Sequence, residues 1–311
     1  MRDAPPVVAR ELVKRYGELV AVDHVDLNVE QGDVFGYLGP NGAGKTTSLR
    51  MLLGLIRPSE GRVELFGRDP LVHGAKALDG VAGFVEGPAF YPYLSARKNL
   101  ELLADYDDGP RGRIDEVLEL VELRHRASDR VGGYSHGMKQ RLGIAASLLR
   151  APRLLLLDEP TTGLDPAGMR DMRELVRRLA GEGITILLSS HLLYEVEELC
   201  NRVAIVRQGR VVYEGSLAEL KASAATSYAL RAVDLDTARR VAQSVAGIGD
   251  VVASDGELRF TAAEDAVAML TVALGRAGIG FTALVPRTAS LEELFLGLTE
   301  GEPQPLVEEV A

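Results

Sequence analysis

Val25, Leu27 and Val29 alternate with polar neighbours, the period of a strand with one buried face. Gln31-Gly32-Asp33 reads as a turn, and Val34 to Leu38 as a short apolar strand. A glycine-rich stretch follows, then a helical pattern from Lys45 to Leu55, so this part of the chain is strand, glycine-rich loop, helix. From about residue 88 to 149 the pattern is mostly helical, with Leu100, Leu103, Val117, Leu120 and Val121 at helical spacings. Leu154 to Leu157 is unbroken leucine, the mark of a strand buried on both faces. Met169 to Leu179 predicts an amphipathic helix and Ile184 to Leu188 a second buried strand. Val203 to Val206 and Arg210 to Tyr213, joined across Gln208-Gly209, predict a hairpin.

After about Lys221 the pattern changes. Tyr228 to Ala232 is strand-like and Asp236 to Val245 helix-like. Val251-Val252 and Leu258 to Phe260 read as two strands around Ser254-Asp255-Gly256. Ala263 to Leu274 is helix-like and Gly280 to Val285 strand-like. The order β-α-β-β-α-β predicts a small ferredoxin-like module over residues 223–300, closed by a last helix from Leu291 to Leu298. Residues 301–311 carry Glu302, Glu308 and Glu309 with Pro303 and Pro305 and no basic residue, and we expect a disordered acidic tail there.

The 311 residues hold 46% hydrophobic and 26% charged side chains, which is the composition of folded domains. A net charge of −10 argues against broad neutralisation of nucleic-acid phosphates. The single cysteine, Cys200, excludes an internal disulfide and is expected to be a buried small hydrophobe. The first residues, Met1 to Pro6, contain no apolar run, so no secretory signal is expected. The most apolar window, Ala266 to Pro286, is broken by Arg276, Gly275, Gly278 and Gly280, so no membrane span is expected and the chain is expected to be soluble.

The first chemistry is in the glycine-rich loop. Gly39-Pro40-Asn41-Gly42-Ala43-Gly44-Lys45-Thr46 fits G-x-x-x-x-G-K-[ST], the phosphate loop of nucleotide-binding proteins. Glycines let main-chain N–H groups wrap a phosphate without Cβ clashes, and the following helix adds its positive end. Lys45 is placed to reach the β- and γ-phosphates, the Thr46 hydroxyl to ligate Mg²⁺, and Thr47 to bond the α-phosphate. The chain has only six lysines beside 29 arginines, so a lysine here is not filler. The second piece is Leu154 to Pro160, an apolar strand ending in two acids. Asp158 is placed to hold Mg²⁺, and Glu159 to polarise the attacking water.

With both pieces present, the chain resembles the ATP-binding cassette (ABC) ATPases. Tyr134-Ser135-His136-Gly137-Met138, before Lys139-Gln140-Arg141, resembles the family signature Leu-Ser-Gly-Gly-Gln; it keeps Ser135 and Gly137 and departs at three positions. Thr162-Gly163-Leu164-Asp165 resembles the D-loop, and Ser189-Ser190-His191 the switch-histidine loop, with His191 expected at the γ-phosphate. Tyr16, just before the first strands, falls where the family stacks an aromatic ring on adenine. In Gly83-Phe84-Val85-Glu86-Gly87, Glu86 stands where the family usually has glutamine. A carboxylate there still offers Mg²⁺ an oxygen but has no amide N–H to donate. His24, His73, His125 and His136 are given no metal role.

The resemblance implies an α/β fold: a P-loop NTPase core of the ABC-ATPase type over residues 1–222, with a mixed sheet, a helical subdomain at about 88–149 and an N-terminal antiparallel β subdomain. The ferredoxin-like α+β module follows it. It also implies two copies facing head to tail, so that Ser135 and the N–H of Gly137 touch the γ-phosphate held by the partner's phosphate loop, with Asp165 at the same seam. It implies ATP and Mg²⁺, a separate membrane-spanning permease chain, and a place at the cytoplasmic face of the membrane. Phe90-Tyr91-Pro92-Tyr93-Leu94 offers a docking surface for that permease, or else ordinary core of the helical subdomain. Ser290-Leu291-Glu292-Glu293-Leu294-Phe295, before Leu298-Thr299, resembles the tail of ATPases of drug- and antibiotic-resistance exporters, which implies export. The alternative is a cassette ATPase acting on ribosomes or nucleic acid. Single-cassette length, the absence of sustained heptads and the acidic charge weigh against it.

Overall fold

The computed structural model describes residues 4–106, 111–223, 227–254, 256–287, 291, 294 and 295. The chain forms two compact units that divide after Leu217. The first begins with β1 (Val7–Tyr16), β2 (Leu19–Val29) and β3 (Val34–Leu38), followed by α1 (Lys45–Leu52), β4 (Glu60–Leu65), the short α2 (Pro70–His73) and β5 (Val81–Phe84). Helices α3 (Ala96–Tyr106), α4 (Ile114–Leu120) and α5 (His136–Leu148) come next. Then follow β6 (Leu154–Asp158), α6 (Pro166–Gly181), β7 (Thr185–Ser190), α7 (Leu193–Leu199), β8 (Arg202–Arg207) and β9 (Arg210–Ser216).

β2, β1 and β4 pair antiparallel, in that order, as a three-stranded sheet. The main sheet has six strands in the order β5-β6-β7-β3-β8-β9; the first five run parallel and β9 closes the edge antiparallel. Leu154 to Leu157 are fully buried, as a parallel strand covered on both faces requires. One core joins the two sheets through α1, with Val7 and Leu27 from the first, Phe35 and Leu156 from the second, and Leu49 and Met51 from the helix.

Strand register positions the site. Leu38 lies opposite Ser190, Asp158 opposite Ser189, and Phe84 opposite Leu157. The carboxyl ends of four parallel strands thus carry Gly39, Glu86, Asp158 and the Ser189-Ser190 pair to one edge, where open α/β sheets bind their ligands. In the helical part, the buried Asn99 side chain accepts from Tyr91 N at 2.9 Å and donates to Tyr91 O and Ser95 O at 3.1 and 2.9 Å, which fixes the loop ahead of α3.

The second unit carries most of α8 (Leu217–Ser223), then β10 (Ser227–Ala232), α9 (Leu235–Ser244), β11 (Ile248–Ser254), β12 (Glu257–Ala262), α10 (Glu264–Arg276) and β13 (Phe281–Arg287). Its four antiparallel strands lie in the order β11-β12-β10-β13. That is the ferredoxin-like arrangement expected from β-α-β-β-α-β. Leu230, Leu258, Phe260, Ala238, Leu270 and Leu274 make its core, with Tyr228 stacked on Phe260 at 5.8 Å.

Several boundaries differ from the sequence reading. Tyr16 does not precede the first strands; it is the last residue of β1. The helix expected to reach Leu55 stops at Leu52, because Gly54 turns the chain with φ at +68°. The helix expected from Met169 starts at Pro166, capped by Asp165. Of the helix expected over Leu291 to Leu298, the described residues Leu291, Leu294 and Phe295 are helical; Ser290, Glu292, Glu293, Leu298 and Thr299 lie outside the described residues, as do Asp255 and the tail 301–311. Cys200 is buried, and burial pushes its thiol far above the usual range, as suits a packing residue. Among the described residues no helix is long and apolar enough to cross a membrane.

Candidate nucleotide site

The loop from Gly39 to Gly44 leaves β3 and opens α1. Gly44 holds φ at +98°, and a Cβ there would lie 2.3 Å from the Ala21 carbonyl oxygen. A Cβ at Gly39 would meet Val206 O at 2.5 Å. Glycine is the only residue that fits either place. Gly44 is also the N-cap of α1 and offers no side-chain cap, so the first N–H groups of the helix stay open for an anion.

Lys45 is buried, and its ammonium is fully engaged. Nζ donates to Gly39 O at 2.7 Å and Pro40 O at 3.2 Å, and pairs with Glu159 Oε1 at 3.2 Å. A buried charge needs such partners. Beneath the helix, the Tyr37 hydroxyl and Ser48 Oγ share a hydrogen bond of 3.0 Å, and burial pushes the Tyr37 phenol up to about 12, so it stays neutral. Asn41 and Gly42 at the loop tip are exposed, while Ala43 is buried and Thr47 half-buried.

Asp158 ends β6 almost fully buried. Its Oδ2 accepts from Thr46 Oγ1 at 3.0 Å and from Glu86 N at 3.2 Å, and its Oδ1 from Ser189 Oγ at 2.6 Å. Glu159 follows in a left-handed backbone, φ +50°, a costly conformation for a side-chain-bearing residue. Its N–H donates to Ser189 Oγ at 2.9 Å, so one serine ties the two acids together. Glu159 Oε2 accepts from Thr162 Oγ1 at 3.0 Å and from His191 Nδ1 at 2.6 Å. Burial works to raise the Glu159 carboxyl, but the His191 hydrogen bond, the Lys45 charge and the Thr162 hydroxyl outweigh it and hold it below the usual carboxylate range. Facing a carboxylate, His191 Nδ1 carries the proton, which leaves Nε2 for another partner.

The structure therefore brings together Gly39 to Thr46, Asp158, Glu159, His191 and the main chain of Glu86. It does not bring the Glu86 carboxylate to the Thr46–Asp158 pair: that carboxylate is ion-paired with Arg50 near the end of α1. Nor does it bring in the signature. Ser135 is the N-cap of α5, its Oγ accepting from Met138 N at 3.2 Å, and Gly137 packs beside Leu164. Asp165 spends a carboxylate oxygen on Gly168 N at 2.9 Å. Tyr16 is half exposed, with Lys14 Nζ 5.1 Å from its ring centroid.

Three participants escaped the sequence reading. Ser189 and Thr162 belong to the switch-histidine and D-loop segments without being their expected ligands, though Ser189 has a signal: it is the first polar residue after the apolar stretch ending at Leu188. Arg50 has none. His136, at a departure from the signature, contacts Thr162 O through Nε2 at 3.1 Å and so connects the start of α5 to the residue that holds Glu159.

A family model described as ABC transporter matches residues 22–162. The bacitracin transport ATP-binding protein BcrA of Bacillus licheniformis is 49% identical over 213 residues, 68% of this chain and 70% of that protein. The daunorubicin resistance ATP-binding protein DrrA3 of Streptomyces coeruleorubidus is 40% identical over 298 residues, covering 92% and 93%. Among solved structures, cbiO1 from Clostridium perfringens, part of the cbiONQ transporter complex, superposes with a TM-score of 0.65 at 26% identity, covering 78% of this chain and 96% of that one. A dimeric post-hydrolysis cassette bound to ADP and Pi gives 0.61 at 27% identity, covering 68% and 98%. The matched segment runs from within β2, through β3 and the phosphate loop, to just past the paired acids, and relatives such as DrrA3 extend the likeness through the second unit. The chain belongs to the ABC transporter family, as an ATP-binding subunit that hydrolyses ATP.

Proposed function

We propose that this chain is the motor subunit of an exporter for a drug, antibiotic or similar small molecule, working as a pair at the cytoplasmic face of the membrane on a separate permease. The observation that carries the motor is the Glu159 carboxylate, held between Lys45 and His191 one residue beyond the Asp158–Thr46 pair. Relatives named for bacitracin transport, daunorubicin resistance and Nod factor export support the direction and the cargo class.

Thr46 and Asp158 fit Mg²⁺: a hydroxyl and a carboxylate are hard oxygen donors, and they already lie 3.0 Å apart. When bound, the ion neutralises charge on the β- and γ-phosphate oxygens. Lys45 exchanges Glu159 for phosphate oxygens. Glu159, freed of its cation but still held by Thr162 and His191, accepts the proton of the attacking water. His191 keeps that carboxylate oriented through Nδ1 and offers Nε2 to the γ-phosphate. Tyr16 stacks on the adenine. Ser135 and Gly137 act on the nucleotide of the second copy, since among the described residues neither is hydrogen-bonded to its own phosphate loop. The pair closes on ATP and opens on ADP because the two states bind the nucleotides with different affinity.

The permease contact falls on the helical part. Tyr91, Pro92 and Tyr93 are exposed, which favours docking over core for that segment. Beside it runs a groove of about 380 Å³ lined by Phe84, Pro88, Phe90, Leu103, Tyr106 and Gly143.

The test is Glu159→Gln. It retains ATP, forms a stable dimer in light scattering, and loses at least about 100-fold in phosphate release. The same tagged variant, solubilised from membranes with ATP, co-isolates a chain with several membrane spans. Near-normal hydrolysis removes Glu159 as the base; ribosomes in place of a membrane chain return the alternative.

A further inference from the structure

Glu86 is a third acidic residue, after Asp158 and Glu159, at the edge of a site that receives a polyanion, with its main chain in the site and its carboxylate beside it. Its main-chain N–H shares Asp158 Oδ2 with the Thr46 hydroxyl, so the residue stands at the edge of the metal oxygens. Its side chain is paired with Arg50 Nη2. Arg50 follows Thr46 by four positions on α1 and so lies on the same helix face. Glu86 has a left-handed backbone, φ +67°, and its carboxylate lies at that arginine. Two of the three acidic residues here thus have a cation of their own, Lys45 for Glu159 and Arg50 for Glu86, while Asp158 is held by the Thr46 and Ser189 hydroxyls and the Glu86 N–H.

We propose that Arg50 is the counter-ion of Glu86, a positioning residue that shields this carboxylate until Mg²⁺ arrives with the nucleotide and then yields it to the metal. The inference rests on the reading of Thr46 and Asp158 as the Mg²⁺ oxygens. The pair suits an exchange. The Glu86 side chain is 65% exposed and that of Arg50 34%, so water and salt weaken the bond, and a divalent ion competes for the carboxylate at little cost. Glutamine at this position would carry no charge to cancel. The arginine therefore sets how strongly nucleotide binding depends on Mg²⁺, and does so only while residue 86 is acidic.

A fluorescent ATP analogue, titrated in Mg²⁺ and in EDTA against wild type, Arg50→Gln, Glu86→Gln and the double variant, tests this. Arg50→Gln is expected to weaken metal-free binding about threefold to fivefold, through repulsion by the unshielded carboxylate, and to leave Mg²⁺-dependent binding within about twofold. In the Glu86→Gln background the same substitution leaves the ratio of the two affinities unchanged. Equal shifts in both backgrounds, or none in either, overturn the counter-ion role, because a purely structural arginine acts alike whatever residue 86 is. A wild type that binds equally with and without Mg²⁺ overturns the metal reading at Thr46 and Asp158, and this inference with it.

Discussion

The phosphate loop and the signature segment each open a helix, yet they end in opposite states. At α1 the N-cap is Gly44, no side chain closes the helix end, and Lys45, Asp158, Glu159, Ser189 and His191 form one continuous set of bonds around it. At α5 the N-cap is Ser135, whose hydroxyl accepts from Met138 N and has no bond into that set among the described residues. The first region is a nucleotide site built from one chain. The second is a capped helix whose proposed part in ATP turnover needs another chain to face it.

Removing the buried ammonium strikes the contrast hardest. Lys45→Ala is expected to weaken ATP binding by at least about 100-fold, the loss of charge-assisted hydrogen bonds to phosphate, read by equilibrium titration of a fluorescent nucleotide. Ser135→Ala sharpens it from the other side. Nucleotide binding by the isolated chain stays within about twofold, while ATP turnover falls about tenfold and loss of the cap costs about 1 kcal/mol in urea unfolding. Mixing Ser135→Ala with Lys45→Ala chains restores turnover at one of the two shared sites. If Ser135→Ala weakens binding as much as Lys45→Ala, the regions are one site and the contrast is gone.

The smallest effect is in acid. The folded chain holds the Glu159 carboxyl below its ordinary value, so the ionised form stabilises the fold. That contribution is complete above the unfolded value of about 4.3 and is lost as pH falls through the lower folded one. The urea midpoint of wild type is therefore expected to drop more steeply between about pH 5 and pH 3 than that of Glu159→Gln. Parallel slopes would detach the carboxyl from its His191 and Lys45 partners.

The legible parts of the chain were those whose chemistry is local. Gly44, Lys45 and Thr46 announce a phosphate loop because the backbone constraint and the ligand groups share eight residues. Leu154 to Leu157 announces a central strand because an unbroken apolar run has no solvent face. The ferredoxin-like module followed from element order alone. β1, β4 and β5 were harder to read singly: β1 carries register shifts against β2 that disturb its alternation, and β5 is four residues long. Tyr16 was misplaced relative to the strands for the same reason. The cation partner of Glu86 was invisible, because the helix that supplies Arg50 and the loop that supplies Glu86 are brought together only by the packing of α1 and β5 around β6.

The sequence by itself determined the reaction class: glycines where a Cβ cannot stand, a lysine and a threonine beside them, and two acids at the end of a buried strand. Only the tertiary structure decided how those charges are shared. Which carboxylate holds Lys45 and which serine joins Asp158 to Glu159 depend on strand register at the sheet's carboxyl edge, and which holds Arg50 on how α1 packs there. Hydrogen bonds reach about 3 Å, whereas the partners lie tens of residues apart in the chain.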